Sequence, residues 1–313
     1  MHTLVTGGAG FIGSNLVDAL LAEGHRVRVL DDLSTGTRRN LPPGAQLVEG
    51  SVSDEATVLA TMEGVEVVFH QAAARAVLRS VEHPLATDEA NTRGTLTVLH
   101  CARRAGVRRV VAASSSSVYG GAEQLPTPET APTVPRSPYA VTKLAGEHYC
   151  RVFTEVYGLE TVSLRYFNVY GLRQRPDSAY AAVIPLFLEA LLRGEPPTVH
   201  GDGLQSRDFT YVSDATAANL AAARAPAAVC SGRAYNVAGG ASYSLLQLLE
   251  VLGRMTGTSV VPVHTRPRPG DVRHSRADIE AARADLGYQP RVGFEEGLLR
   301  TLEWFRQAAA STA

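Results

Sequence analysis

Tyr139 and Lys143 stand four residues apart in "SPYAVTKLAGEHY", a stretch with the pattern of an amphipathic helix, so both side chains fall on one face. That pairing has a definite chemistry. An ammonium beside a phenol favours the phenolate and draws the tyrosine pKa toward neutrality. A general base works best with its pKa near the working pH, which makes Tyr139 a candidate to take a proton from a sugar or alcohol hydroxyl. Lys143 is also a candidate to hold a ribose. Ser115, at the end of the strand-like run "RRVVAASS", is placed to share the same substrate hydroxyl. Tyr-Lys pairs at this spacing are common on helix surfaces, so the setting must lend this one its weight.

"TGGAGFIG" supplies that setting, with Gly7, Gly8, Gly10 and Gly13 between a first strand and a first helix. Glycine there permits a tight turn, close approach of the backbone to a pyrophosphate, and close helix–strand packing. The helix N-terminus then offers N–H groups and a positive dipole end to phosphates. Asp31 follows about twenty residues on, at the end of the second strand. A carboxylate there takes both ribose hydroxyls and repels a 2′-phosphate, which selects NAD over NADP. Arg38 and Arg39 read as residues of a solvated loop.

Behind these residues the first half alternates short apolar runs with helical patterns, the mark of a doubly wound parallel sheet of Rossmann type. Residues 125–138, "LPTPETAPTVPRSP", hold five prolines and read as an irregular surface loop. Beyond about residue 168 the alternation weakens. Helical stretches there are joined by the short strands "PTVHG", "RDFTYV", "AYNVAG" and "SVVPVH", and Ser244 with Gln247 reads as a capping box. The expected division is an NAD-binding domain over 1–167 and a smaller α/β substrate lobe over 168–313.

The bulk properties agree with a soluble globular protein. The chain has 313 residues, 45% hydrophobic, with a formal net charge of −1. Such a balance favours neither nucleic acid nor an anionic membrane surface. Cys101, Cys150 and Cys230 are odd in number and far apart. They form neither a disulfide framework nor a metal spacing, so no metal and a reducing cytoplasm are expected. The N-terminus lacks the pattern of a signal peptide, and no apolar run is long enough to span a bilayer.

Taken in order, "TGGAGFIG", Asp31, "SSVYG", "YAVTK" and "RYFNVYG" resemble the extended short-chain dehydrogenase/reductase family, and within it the nucleotide-sugar epimerases and dehydratases. "SRDFTYVSD" and "RPGDVRHSRAD" extend the resemblance over nearly the whole chain. It implies Ser115, Tyr139 and Lys143 as the catalytic set. On the NAD side it implies Gly7, Gly10, Phe11, Ile12 and Gly13 at the phosphates and Asp31 with Asp32 at the ribose. Gln71, Ala72, Ala73, Arg75 and Tyr166, with Tyr139 and Lys143, are implied further along the cofactor. Ser51 and Val52 are expected to flank the adenine, although the family has an aspartate where this chain has Ser51. For a UDP-sugar it implies Arg207 and Arg268 at the diphosphate, where cationic forks fit. Asn168, Val183, Arg175 and Ser115–Ser117 are implied at the nucleotide sugar. A homodimer through the helices near 90–105 and 139–157 is implied as well.

The serines at 116 and 117 narrow the reaction. Dehydratases of this family carry Asp-Glu before Val-Tyr-Gly, and the uronate decarboxylases typically carry Glu at the second position. Unperturbed hydroxyls cannot do acid–base work in place of a carboxylate. A 4-keto sugar would then have one productive fate, return of the hydride on its other face, which is 4-epimerisation. Ser275, at the family's gatekeeper position, leaves room for a larger group than a hexose presents. Arg175 falls where uronate enzymes bind a carboxylate, and it reads equally well as an exposed loop arginine. The expected substrate is UDP-glucuronic acid, with epimerisation of UDP-N-acetylglucosamine or UDP-glucose as alternatives and a nucleotide-sugar decarboxylase or dehydratase as a further one. A dehydrogenase of a non-nucleotide substrate would not need both Arg207 and Arg268. A non-catalytic NAD-binding regulator would not need to keep both Tyr139 and Lys143.

Overall fold

The apolar runs of the first half form six parallel strands: β1 (His2–Thr6), β2 (Arg26–Asp31), β3 (Ala45–Glu49), β4 (Val67–His70), β5 (Arg109–Ser115) and β6 (Glu160–Tyr166). The computed structural model that shows them describes residues 1–75, 77–176, 181–259, 261–267 and 272–310. Seven more strands follow: β7 (Val169–Tyr170), β8 (Thr198–His200), β9 (Ser206–Asp208), β10 (Thr210–Tyr211), β11 (Arg233–Val237), β12 (Ser242–Ser244) and β13 (Val263–Thr265). The main sheet runs β11-β6-β5-β4-β1-β2-β3. Its neighbours pair parallel throughout. This is the doubly wound order, and its chain reversal lies between β1 and β4, where such sheets open a crevice for a ligand.

The seventh strand corrects the expected division of the chain. "AYNV" belongs to β11 and pairs with β6 in the main sheet, not with a separate lobe. Helix Val212–Arg224 also returns to this sheet: its buried Ala215, Ala218 and Ala222 share a core with Val5, Leu16 and Val29. A cut at residue 168 therefore does not separate sheet from lobe. The physical reason is burial, since β6 would otherwise stand as a bare edge.

What remains of the lobe has its own core. Phe187, Leu188, Leu248, Leu252, Leu298 and Leu302 are buried together. Phe294 stacks on Tyr243 at 3.9 Å and on Phe209 at 5.4 Å. Helix Leu245–Thr256 opens with the capping box of Ser244 and Gln247, as its sequence leads one to expect.

Helix Pro138–Tyr157, which carries Tyr139 and Lys143, is fixed at both ends by local chemistry. The Ala140 N–H donates to the Ser137 hydroxyl, Pro138 occupies the first turn, and Gly158 ends the helix at φ 70°. The proline-rich loop before it is irregular but not wholly superficial, because Thr127 is buried. The Thr127 carbonyl accepts from Asn236 at 2.9 Å. No helix of the described residues is long and apolar enough to cross a membrane. Among the described residues, no group of metal-ligating side chains could hold an ion. The three cysteines are free and buried.

Candidate active site

The glycine loop is shaped as a cradle. A Cβ on Gly7 (φ +68°) would stand 2.6 Å from the Ala72 backbone nitrogen, and one on Gly13 would run into the Gly7 carbonyl. Helix Phe11–Ala22 begins at Gly10 with no side-chain cap and no acid in its first turn. Phe11 is buried and Ile12 half-buried at that end. An anion is the natural partner of such a helix start.

Asp31 closes the cradle. Buried at the end of β2, it accepts the Ala9 N–H at 2.9 Å and the Leu33 N–H at 2.8 Å. Burial raises its pKa while those two hydrogen bonds oppose the rise. Asp32 is exposed and caps a turn through the Ser34 N–H. Ser51 lies exposed just past β3 with Val52 buried beside it. These residues fit NAD: a backbone cradle for a pyrophosphate, a carboxylate for a ribose, and a hydroxyl where the adenine would lie.

Past β4 the chain supplies the other end of the crevice. Gln71 and Tyr166 join in a closed ring that the sequence did not reveal: Tyr166 donates to Gln71 at 3.2 Å, Asn219 to Tyr166 at 2.7 Å, and Gln71 to Asn219 at 3.0 Å. Asn219 is fully buried. Its one signal in sequence is an amide inside the Ala-rich "ATAANLAAAR". Ala72 and Ala73 are half-buried between this ring and Arg75, which is exposed and whose charge reaches Tyr139.

The four serines divide by strand alternation. Ser114 faces the helix layer and donates to Glu147. Ser115 ends β5 on the crevice side and accepts the Ser117 N–H at 3.2 Å and the Ser117 hydroxyl at 2.9 Å. Ser116 and Ser117 open a 3-10 turn, Ser116–Tyr119. The structure brings Ser115, Tyr139 and Lys143 together, with Ser115 near enough to Tyr139 to favour its phenolate.

One expectation about this pair is corrected. Burial pushes the Tyr139 phenol up, and the pull of Ser115 and Arg75 does not offset it. The Lys143 ammonium does not bring the phenol down, because it lies 5.9 Å from the ring centroid and donates to the Ala113 carbonyl at 2.8 Å. Burial lowers Lys143 itself to about 8, against the field of Cys150 and Glu147. Behind Lys143 sits His70, fully buried between the hydroxyls of Thr6 (2.7 Å) and Thr95 (3.0 Å). Burial and the Lys143 charge depress His70 to about 3, so it is a neutral imidazole.

On the substrate side, Arg207 is half-buried on β9, with Nη1 donating to the Ser206 carbonyl at 2.9 Å. Asn168, at φ 34°, donates to the Asp208 carbonyl at 3.0 Å. Ser275 donates its N–H to Ser206 at 3.1 Å. Val183 opens helix Val183–Leu192, and Arg175 is exposed in the preceding loop. Arg268 lies outside the described residues. A cavity of about 540 Å³ lined by His200, Gln205, His264 and Arg273 adjoins this side, and none of the four was foreseen. A larger hollow of about 1260 Å³ lies away from Tyr139, between Ser51 and the outer faces of helices Gly94–Arg104 and Pro138–Tyr157.

Comparison with known proteins agrees with this geometry. Residues 3–238 match the model of the NAD dependent epimerase/dehydratase family. A UDP-glucose 4-epimerase of Mycolicibacterium smegmatis is 42% identical, with 98% of this chain and 99% of that protein covered. The crystal structure of a Thermotoga maritima UDP-glucose 4-epimerase with UDP-glucose superposes with a TM-score of 0.95 at 39% identity, covering 99% and 100% of the two chains. MoeE5, solved in complex with UDP-glucuronic acid and NAD, superposes with a TM-score of 0.88 at 35% identity, covering 98% and 100%. With the glycine cradle, Asp31 and the Tyr139–Ser115 contact in place, this chain belongs to the NAD dependent epimerase/dehydratase family, and its cofactor is NAD.

Proposed function

We propose that this chain interconverts the C4 epimers of a UDP-sugar, with UDP-glucuronic acid as its substrate and UDP-galacturonic acid as the product. The observation that carries the reading is the placing of Tyr139 close to Ser115, beside a turn that has hydroxyls, and no carboxylate, at 116 and 117. Bound NAD supplies a hydride acceptor that becomes the donor of the return step. With the positive nicotinamide ring bound beside it to offset the burial that raises its phenol, Tyr139 would take the proton of the C4 hydroxyl and return it, Ser115 would bond the same oxygen, and Lys143 would fix the ribose and the local positive charge. Without an acid at 116 or 117, nothing there drives elimination from the sugar ring.

The uronate is supported by Arg175 on the loop beyond β7 and by MoeE5, a relative solved with UDP-glucuronic acid. A 4-keto uronate is a β-keto acid that loses CO₂ when its carboxylate stands perpendicular to the carbonyl plane. An arginine fork from one side and the Ser116 hydroxyl from the other can hold it near that plane. The relatives named UDP-glucose 4-epimerase favour a neutral hexose as the second reading. We also place the chain in the reducing cytoplasm, where its three free cysteines remain thiols, and as a homodimer. The paired faces would be those of helices Gly94–Arg104 and Pro138–Tyr157, where Val141, Val152, Val156 and Tyr157 are exposed.

The test is a panel of UDP-glucuronic acid, UDP-glucose and UDP-N-acetylglucosamine incubated with the NAD-loaded protein and separated by chromatography. UDP-galacturonic acid with little CO₂ or UDP-pentose is the expected outcome. Conversion of the neutral sugars alone would move the substrate to the second reading. Steady release of NADH would overturn epimerisation.

A further inference from the structure

Three polar residues share one rung of the main sheet. Ser114 on β5 stands in register with Arg165 on β6, and Arg165 with Asn236 on β11. All three are buried. Glu147 reaches this rung from helix Pro138–Tyr157, one turn beyond Lys143. Arg165 grips it with two prongs, Nε to Oε1 at 2.9 Å and Nη2 to Oε2 at 2.7 Å, and each side chain is 8% exposed. Nη1 of Arg165 donates onward to the Tyr119 hydroxyl at 2.8 Å, and Tyr119 donates to Asn236 at 2.8 Å. Asn236 donates in turn to the carbonyls of Thr127 and Asp278, both at 2.9 Å. The network thus runs from the helix of Lys143, under the serine turn, to the segment that leads into the lobe.

Stability alone does not account for such a pair. Burying two charges is expensive, and well-packed apolar residues often serve a fold as well or better. A two-pronged fork has direction, which apolar packing lacks. It therefore fixes the rotation of the helix about its own axis at the turn that follows Lys143. We propose that Glu147 and Arg165 are positioning residues of this active site: their fork sets the helix turn carrying Lys143 against the strand end carrying Ser115, and the Glu147 carboxylate holds the Lys143 ammonium charged. This rests on the reading of Lys143 as a member of the catalytic set.

The charges around Lys143 support the second half of that statement. From β4 it faces His70, neutral with its pKa depressed to about 3, and from β5 the Ala113 carbonyl. On its own helix it faces Tyr139 and Cys150, whose thiol burial pushes up to about 12. Glu147 is the carboxylate in that set, and with Cys150 it opposes the burial that draws Lys143 down to about 8.

Lys143 is also the only lysine in a chain with 29 arginines. Lysine carbon-labelled at the ε position therefore gives one side-chain resonance to titrate. In the NAD-loaded protein, Glu147→Gln should lower the Lys143 midpoint by about one pH unit. It should also reduce kcat at neutral pH roughly tenfold, with KM within about twofold, for whichever of UDP-glucose and UDP-glucuronic acid is turned over. Glu147→Asp keeps the charge and spoils the fork, so it should restore the midpoint while kcat stays low. An unmoved midpoint in Glu147→Gln overturns the proposal. So does a parallel fall of kcat, KM and bound NAD at an unmoved midpoint, which would mark a merely structural pair. Should Glu147→Gln not fold, Glu147→Asp decides, and wild-type kcat there overturns it. Lys143→Met separates the two ideas: if it still turns over, the reading of Lys143 fails, whatever Glu147 does.

Discussion

The Lys143 ammonium donates to the Ala113 carbonyl at 2.8 Å, tying the helix of the active site to the strand that ends in Ser115. That bond spans 30 residues of chain and sets Tyr139, one turn earlier, against Ser115.

Tyr139→Phe keeps the ring and removes the proposed base. Turnover should fall by about two to four orders of magnitude. Binding of UDP by calorimetry should hold, because the phenol contributes nothing to the diphosphate contacts. Near-normal turnover would mean that the base is another group.

Asp31→Ala removes the acceptor of the Ala9 and Leu33 N–H groups as well as the ribose partner. NAD retained through gel filtration should drop at least about tenfold, as expected for loss of a charged hydrogen-bonding partner. Unchanged retention would place the ribose elsewhere. The same variant should discriminate less against NADP, since the charge that repels a 2′-phosphate is gone.

Arg175→Ala should raise KM for UDP-glucuronic acid by about one to two orders of magnitude, the worth of a charge-assisted fork. UDP-glucose should be nearly unaffected. Replacing the arginine should also let CO₂ escape, measured by trapping from carboxyl-labelled substrate. Equal effects on both sugars would remove Arg175 from the carboxylate.

His70 gives a pH signature of stability. Its folded pKa, about 3, lies below the ordinary 6.5, so the unfolded chain binds the extra proton between those values. Stability from this group is present above 6.5 and is lost as pH falls toward 3, with a limiting slope of about 1.4 kcal/mol per pH unit. His70→Gln can bond both threonines without titrating. In urea unfolding at a series of pH values, it should lose less stability than wild type between neutral and mildly acid pH. Parallel curves would show that His70 is not the titrating group.

Much of the site was legible in the chain because its determinants are local. Gly13 declares a cradle because a Cβ there would run into Gly7 and Gly8, within a few residues of chain. Ser137, Pro138 and Gly158 bound a helix by hydrogen bonds and φ preferences of their immediate neighbours, and the helical period then aligns Tyr139 with Lys143. Asp31 announces itself by ending an apolar run at a fixed distance from the glycines. Where side chains meet across the sheet, the chain by itself was silent. "AYNV" has the composition of any short strand, and only the open edge of β6 decided where it would pair. Ser114 and Ser115 are identical neighbours, and the pleat sends one to Glu147 and the other to Tyr139. The direction of the Tyr139 pKa depended on burial and on the Ala113 carbonyl that takes up the ammonium, neither of which a spacing of four residues contains. Asn219 and Arg165 act through partners 53 and 18 residues away. Their roles come into being only when strand register and helix packing bring those groups within reach, because hydrogen bonds are short and the chain between them is long.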